Sequence, residues 1–140
     1  MNVLIIGCGT FGKSIINALS GFIQPPFITV IDRDQESFGD LPVDFKGFTI
    51  TGDASNITLL DEAKIKNADI FMAVTQNVNL NLMLTHIAKE VYQVSTVIAR
   101  VTGNDQRRLG QVIGITTINP VERAAEDLLT HLEIAGGGSK

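Results

Sequence analysis

The sequence predicts an α/β domain: a doubly wound parallel sheet of about six strands, followed by a C-terminal amphipathic helix. Three observations carry this reading. Short runs rich in Val, Ile and Phe alternate with segments of helical period along the 140 residues, the pattern of parallel strands joined by crossover helices. The runs are too uniformly apolar to have a wet face, so every strand is expected to be buried on both sides. The first run ends in glycines spaced as in a strand-to-helix turn.

The candidate strands, in order, are Val3–Ile6, Phe27–Ile31, Phe48–Thr51, Ile70–Val74, Thr96–Arg100 and a short Thr116–Ile118. A helix should open after the first strand, and Pro25-Pro26 and the stretch from Gly39 to Pro42 read as turns. Leu80, Met83, Leu84, Ile87, Ala88 and Val91 fall on one stripe of an amphipathic helix. A further helix is expected over Asp105–Ile113. Val121, Ala124, Ala125, Leu128, Leu129 and Leu132 repeat the stripe in a last helix, with Asn119 as its N-cap, Pro120 as its first residue and Glu122 in its first turn. Gly136 to Ser139 has linker chemistry. The expected units are residues 1–119, a crossover or interface helix over 120–134, and a flexible tail over 135–140.

Composition narrows the function classes. With 44% apolar residues the chain has the core of one domain. Eleven Lys plus Arg against 15 Asp plus Glu give a net charge of -4, which argues against a surface that tracks nucleic-acid phosphates. No apolar run approaches the roughly 20 residues of a membrane helix, so no direct membrane insertion is expected. Cys8 is the one cysteine; it has no partner for a disulfide or a zinc knuckle and reads as a buried filler in a cytoplasmic protein.

Gly7-Cys8-Gly9-Thr10-Phe11-Gly12 fits G-x-G-x-x-G where a strand should feed a helix. In a Rossmann-like fold Gly7 permits the turn, Gly9 lets a pyrophosphate approach the backbone and Gly12 lets the helix pack closely. Amides at the helix start then bind anionic oxygens. Val30-Ile31-Asp32 places a carboxylate 20 positions beyond Gly12, where such folds hold the adenosine ribose. The carboxylate should repel a 2′-phosphate, while the adjacent Arg33 could favour one; unphosphorylated ribose is the expected ligand. Since ligands sit beyond the carboxyl ends of the strands, Asp53 and Ala54 after the third strand, Thr75 and Gln76 after the fourth, and Arg100 at the end of the fifth complete the candidate site. Gly7 to Ser14 also satisfies G-x-x-x-x-G-K-S, in which Lys13 would hold phosphates and Ser14 a magnesium ion; a P-loop ATPase is therefore a competing reading.

Gly7-Cys8-Gly9, Val30 to Asp34, Gly52-Asp53, Ala73-Val74-Thr75, Asn81 and Val97 to Val101 together resemble the TrkA-N or RCK N-terminal domain of the Trk/Ktr potassium-transport regulators. The resemblance runs from Met1 to about Leu132. It implies a cytosolic Rossmann nucleotide-binding domain that takes NAD(H) or ADP/ATP, pairs as a homo-dimer or higher ring through its later helices, and regulates a membrane potassium channel or transporter. It further implies that Asp32 contacts ribose, Asp53 the adenine region, Thr75 the surroundings of the phosphates, and Arg100 a phosphate or a partner subunit. Many relatives carry Arg where this chain has Thr10, which moves the expected preference toward NAD(H) or ADP.

A dehydrogenase needs a proton donor or acceptor near the nicotinamide. The candidates are His86, His131 and Tyr92, and both histidines fall off the apolar stripes of their helices. A sensor without catalysis is therefore expected, with an NAD-dependent oxidoreductase fragment and a structural subunit as the other readings.

Overall fold

The computed structural model describes residues 1–132. The expected tail at 135–140 lies outside the described residues. Six strands form one parallel sheet: β1 (Asn2–Ile6), β2 (Phe27–Asp32), β3 (Phe48–Thr51), β4 (Ile70–Ala73), β5 (Thr96–Arg100) and β6 (Thr116–Ile118). Their spatial order is β3-β2-β1-β4-β5-β6. Winding therefore reverses between β1 and β4, the topological switch point of the Rossmann-like fold. Ile5 of β1 lies between Val30 of β2 and Met72 of β4.

Side chains alternate across the sheet with period two. Val3, Ile5, Ile28 and Val30 face α1 (Thr10–Ser20) through Ile16. Leu4, Ile6, Ile31, Phe71, Ala73, Val97 and Ala99 face the opposite layer, where α2 (Ile57–Glu62) contributes Leu60 and α3 (Val78–Glu90) contributes Leu84 and Ala88. α4 (Asn104–Ile113) joins β5 to β6, and α5 (Pro120–Leu132) follows β6. A 3₁₀ segment, Gln35–Asp40, occupies the connection between β2 and β3.

The structure corrects two expectations. β3 and β6 are edge strands with a neighbour on one side only, and neither has a buried residue. Phe48 of β3 is 63% exposed and meets Phe27 edge to face, with ring centroids 5.2 Å apart. The buried face of α3 is also rotated from the apolar stripe: Asn81, Leu82, Leu84, Thr85 and Ala88 are buried, whereas Met83 and Val91 are exposed. Two polar side chains turn inward because each finds hydrogen-bond partners there.

α5 begins as expected. The Asn119 side chain accepts a hydrogen bond from the Glu122 amide, and the Glu122 carboxylate pairs with Arg107 of α4. Beyond that anchor none of its residues is buried. Val121 is 70% and Leu128 58% exposed. The apolar stripe read from the sequence is a face that the described residues leave uncovered.

Candidate functional site

A crevice of about 860 Å³ lies over the switch point and collects the carboxyl ends of the strands. Ladder hydrogen bonds run one residue past the strands and fix these ends: Gly7 N–H donates to Ile31 C=O at 2.8 Å, Val74 N–H to Ile6 C=O at 2.9 Å, and Gly52 N–H to Asp32 C=O at 2.9 Å. β1, β3 and β4 thus deliver their following residues to a common rim.

The glycine loop forms the floor. Gly7 has φ +108, a conformation that side chains resist, and a Cβ there would press on the Thr75 amide at 3.1 Å. A Cβ on Gly12 would lie 2.1 Å from the Gly7 carbonyl oxygen, so α1 can approach the loop only with glycine at that position. Gly9 is different: its φ of -79 suits any residue, and a Cβ would meet nothing within 4 Å. Space above Gly9 therefore belongs to the crevice. Lys13 N–H, donating to Gly9 C=O, closes the first turn of α1. Amides before it have no intrahelical acceptor, no side chain caps them, and the first turn holds no acidic residue. These are the properties of an anion-binding helix start.

Asp32 links the end of β2 to this loop. One carboxylate oxygen accepts the Cys8 amide and the other the Asp34 amide, both at 2.8 Å. An ionised carboxylate offers about four acceptor positions, so lone pairs remain for hydroxyl groups in the crevice. Cys8 itself does not line the crevice; its side chain is fully buried. Burial raises the Cys8 thiol above its ordinary pKa, Lys13 opposes this, and Asp32 and Asp40 add to it. The thiol is therefore protonated at neutral pH and unreactive.

Asp53 and Ala54 line the β3 side of the rim together with Arg33. Hydrogen bonds from the Ser55 hydroxyl, at 2.7 Å, and the Ser55 amide, at 2.9 Å, hold the Asp53 carboxyl below its ordinary value of 3.8, with Arg33 assisting and desolvation opposing. Since the folded value lies below the unfolded one, this carboxylate's stabilisation is complete above about pH 3.8 and is lost as pH falls through the lower folded value. Ser55→Ala is expected to move the Asp53 titration midpoint, followed by carboxyl carbon NMR, upward toward 3.8. An unchanged midpoint would remove Ser55 as the cause.

On the other side stand Thr75, Gln76 and Arg100. Thr75 is committed to its own loop: its hydroxyl accepts the Asn77 amide at 3.1 Å and lies 2.7 Å from Asn81 Oδ1. The Arg100 guanidinium sits over the Phe11 ring, 5.8 Å from its centroid, within cation–π range. Arg100 Nε is buried and has no hydrogen-bond partner among the described residues. A buried cationic donor without an acceptor, facing a crevice with free amides, matches an anion.

Of the residues expected from sequence, Gly7, Gly9, Thr10, Phe11, Asp32, Arg33, Asp53, Ala54, Thr75, Gln76 and Arg100 meet in this one crevice. Gly12 and Cys8 stand behind it as supports. Sequence reasoning missed Pro120, Val121 and Ala124, which bring the first turns of α5 into the lining. Asn119-Pro120 follows β6 as Gly52-Asp53 follows β3, so the rule that singled out the other strand ends applied here too. Lys13 does not line the crevice; its amine pairs with Asp40 at 3.1 Å, and Ser14, which does line it, donates its hydroxyl to the Thr10 carbonyl. This geometry works against the P-loop reading. His86 is exposed, His131 pairs with Asp127 at 3.9 Å, and Tyr92 bonds to Asp61; none reaches the crevice.

Comparison with known proteins bears on the family and the fold. The family model described as the TrkA-N domain matches residues 3–120. The chain is 34% identical over 136 residues to the Trk system potassium uptake protein TrkA of Streptomyces coelicolor, covering 97% of this chain and 60% of that protein. It is 31% identical over 139 residues to a TrkA homolog of Methanothermobacter thermautotrophicus, covering 96% and 63%. The chain thus spans less than two thirds of these relatives' lengths. Among solved structures, the TrkA-N domain of the inner membrane protein ybaL from Escherichia coli superposes with a TM-score of 0.81 at 19% identity, covering 94% of this chain and 96% of that one. The Kef C-terminal domain of Shewanella denitrificans in AMP-bound form gives 0.80 at 21%, covering 99% and 84%. The GsuK channel bound to NAD gives 0.75 at 23%, covering 96% and 24%.

Proposed function

The chain belongs to the TrkA-N domain family, and on that premise we propose that it is the nucleotide-sensing regulatory unit of a potassium channel or transporter, taking NAD(H) or ADP/ATP in the switch-point crevice. The observation that carries this reading is the convergence there of free α1 amides, the Asp32 carboxylate and the unpartnered Arg100 Nε. The amides of Thr10 and Phe11 would hold a diphosphate, Asp32 the adenosine ribose, Asp53 and Ala54 the adenine side, and Arg100 a phosphate. Solved structures of this fold bound to AMP or to NAD support an adenine nucleotide as the ligand.

Regulation needs a ligand with different affinities for two arrangements of the assembly. Val121 and Ala124 line the crevice while the rest of α5 offers an uncovered apolar stripe. Ligand bound against the first turns of α5 would bias how that helix packs on another subunit, with couplings of about 1–3 kcal/mol being typical. The reading is of a homo-oligomer joined through the later helices, on the cytosolic side of a membrane partner. Among the described residues no helix is long and apolar enough to cross a membrane. His86, His131 and Tyr92 do not line the crevice, which supports binding over hydride-transfer chemistry in this reading.

Thermal denaturation with NAD, NADH, ATP, ADP or AMP, alongside a magnesium-dependent hydrolysis assay, tests this. Ligand at 100 times its Kd stabilises by about 2.7 kcal/mol, which for a domain of this size raises the midpoint by roughly 8–10 °C. The expected result is such a rise with at least one nucleotide and no product. Hydrolysis abolished by Lys13→Ala would restore the P-loop reading; no rise with any nucleotide would leave a structural subunit.

A further inference from the structure

Asn81 sits in the second turn of α3, is 0% exposed and does not line the crevice. Its side chain nevertheless holds two of the crevice's rim segments. Oδ1 accepts the Thr75 amide at 3.0 Å and the Thr75 hydroxyl at 2.7 Å, and Nδ2 donates to the Thr75 carbonyl at 2.9 Å and the Arg100 carbonyl at 3.0 Å. Two donors and two acceptor positions are all used. The partners fix the orientation of the amide, because a flip would set an oxygen against two carbonyls and an NH₂ group against an N–H. Carboxylate, hydroxyl and aliphatic side chains each fail part of this set.

Thr75 follows β4 and Arg100 ends β5, strands that no ladder bond joins beyond Ala73 and Ala99. Asn81 replaces the missing rungs. We infer that Asn81 is a positioning residue for the phosphate-facing half of the crevice: it sets the distance between the Thr75 loop and Arg100, and so aligns the guanidinium that lies over Phe11 without touching ligand itself. This rests on the nucleotide reading above and adds a prediction that the reading alone does not make. Ligands differing only in phosphate should respond differently to a change at position 81, because Asp32, Asp53 and Ala54 on the opposite side are not connected to Asn81 by any hydrogen bond.

The experiment is calorimetric titration of the full chain with ADP and with adenosine, for the unaltered protein, Asn81→Ser and Thr85→Val. Asn81→Ser removes both carbonyl-directed donors without adding charge. Thr85→Val removes the buried hydroxyl that donates to the Asn81 carbonyl one turn away and serves as a control for loss of α3 stability. Loss of one or two such bonds predicts ADP binding about tenfold weaker in Asn81→Ser, with adenosine changed by less than about twofold and Thr85→Val near the parent for both. Equal weakening of ADP and adenosine, or no weakening of either, overturns the inference while leaving the nucleotide reading in place. Failure of the unaltered chain to bind ADP or any other nucleotide overturns the reading itself. Hydrogen exchange on the unaltered chain decides the matter if Asn81→Ser does not fold. ADP should slow exchange at Thr75 and at residues 100–102 together; slowing confined to the glycine loop is the contrary result.

Discussion

Gly12→Ala is expected to destabilise the fold by about 3 kcal/mol, the upper part of the range for overpacking, and to lower its thermal midpoint by roughly 10 °C. The added Cβ would stand 2.1 Å from the Gly7 carbonyl oxygen and 3.7 Å from a Val74 methyl. The obstruction is backbone, so no rotamer change relieves it; either α1 moves off the sheet or the loop shifts. Ile16, fully buried on the next turn, must move with it. Gly9→Ala is the informative companion. The same methyl at position 9 meets nothing and demands no unusual φ, so the midpoint should stay within about 2 °C of the parent while nucleotide affinity falls about tenfold or more, because the methyl occupies the phosphate's approach. Thermal denaturation and titration of the two variants separate packing from ligand access. A Gly12→Ala protein that melts with the parent would contradict the close approach of α1.

Asp32→Ala should weaken an adenosine ligand by about one to two decades, the range expected from losing a hydrogen bond to a charged acceptor worth 1.5–3 kcal/mol. It should also cost stability, because the Cys8 and Asp34 amides lose their acceptors together. Asp32→Asn keeps one acceptor oxygen and should fall between the parent and the alanine variant in both respects. Calorimetric titration with unchanged affinity would remove Asp32 from the site and reduce it to a brace between β2 and the glycine loop.

Strand positions were legible because a parallel sheet writes itself as apolar runs, and the glycine spacing located the switch-point loop. Edge burial was not legible: Phe48 has the composition of a core residue, and only the strand order reveals that β3 lacks a neighbour on one side. Hydropathy also misplaced the inner face of α3. Asn81 is buried by hydrogen bonds to Thr75 and to Arg100, a group that sequence does not bring near, and Thr85 turns inward onto the Asn81 carbonyl one turn earlier, whereas Met83 and Val91 satisfy the helical period and still face outward. α2, six residues long, is too short for a periodic signal. The site itself was mostly legible because the carboxyl ends of the first five strands, and the residues just after them, meet at the rim. Its α5 wall, Pro120 with Val121 and Ala124, was not, since an apolar stripe at helical spacing reads as core or interface before it reads as lining. Lys13 shows the converse. A complete phosphate-loop pattern is present, yet α1 begins at Thr10 and carries the amine toward Asp40.

The most direct measurement is a crystal structure of the chain soaked with ADP. The account predicts diphosphate density against the amides of Thr10 and Phe11, ribose hydroxyls on Asp32, and the Arg100 guanidinium engaged with a phosphate oxygen. A saturated crystal in which ADP lies elsewhere, or in which that crevice stays closed by side chains, would contradict it.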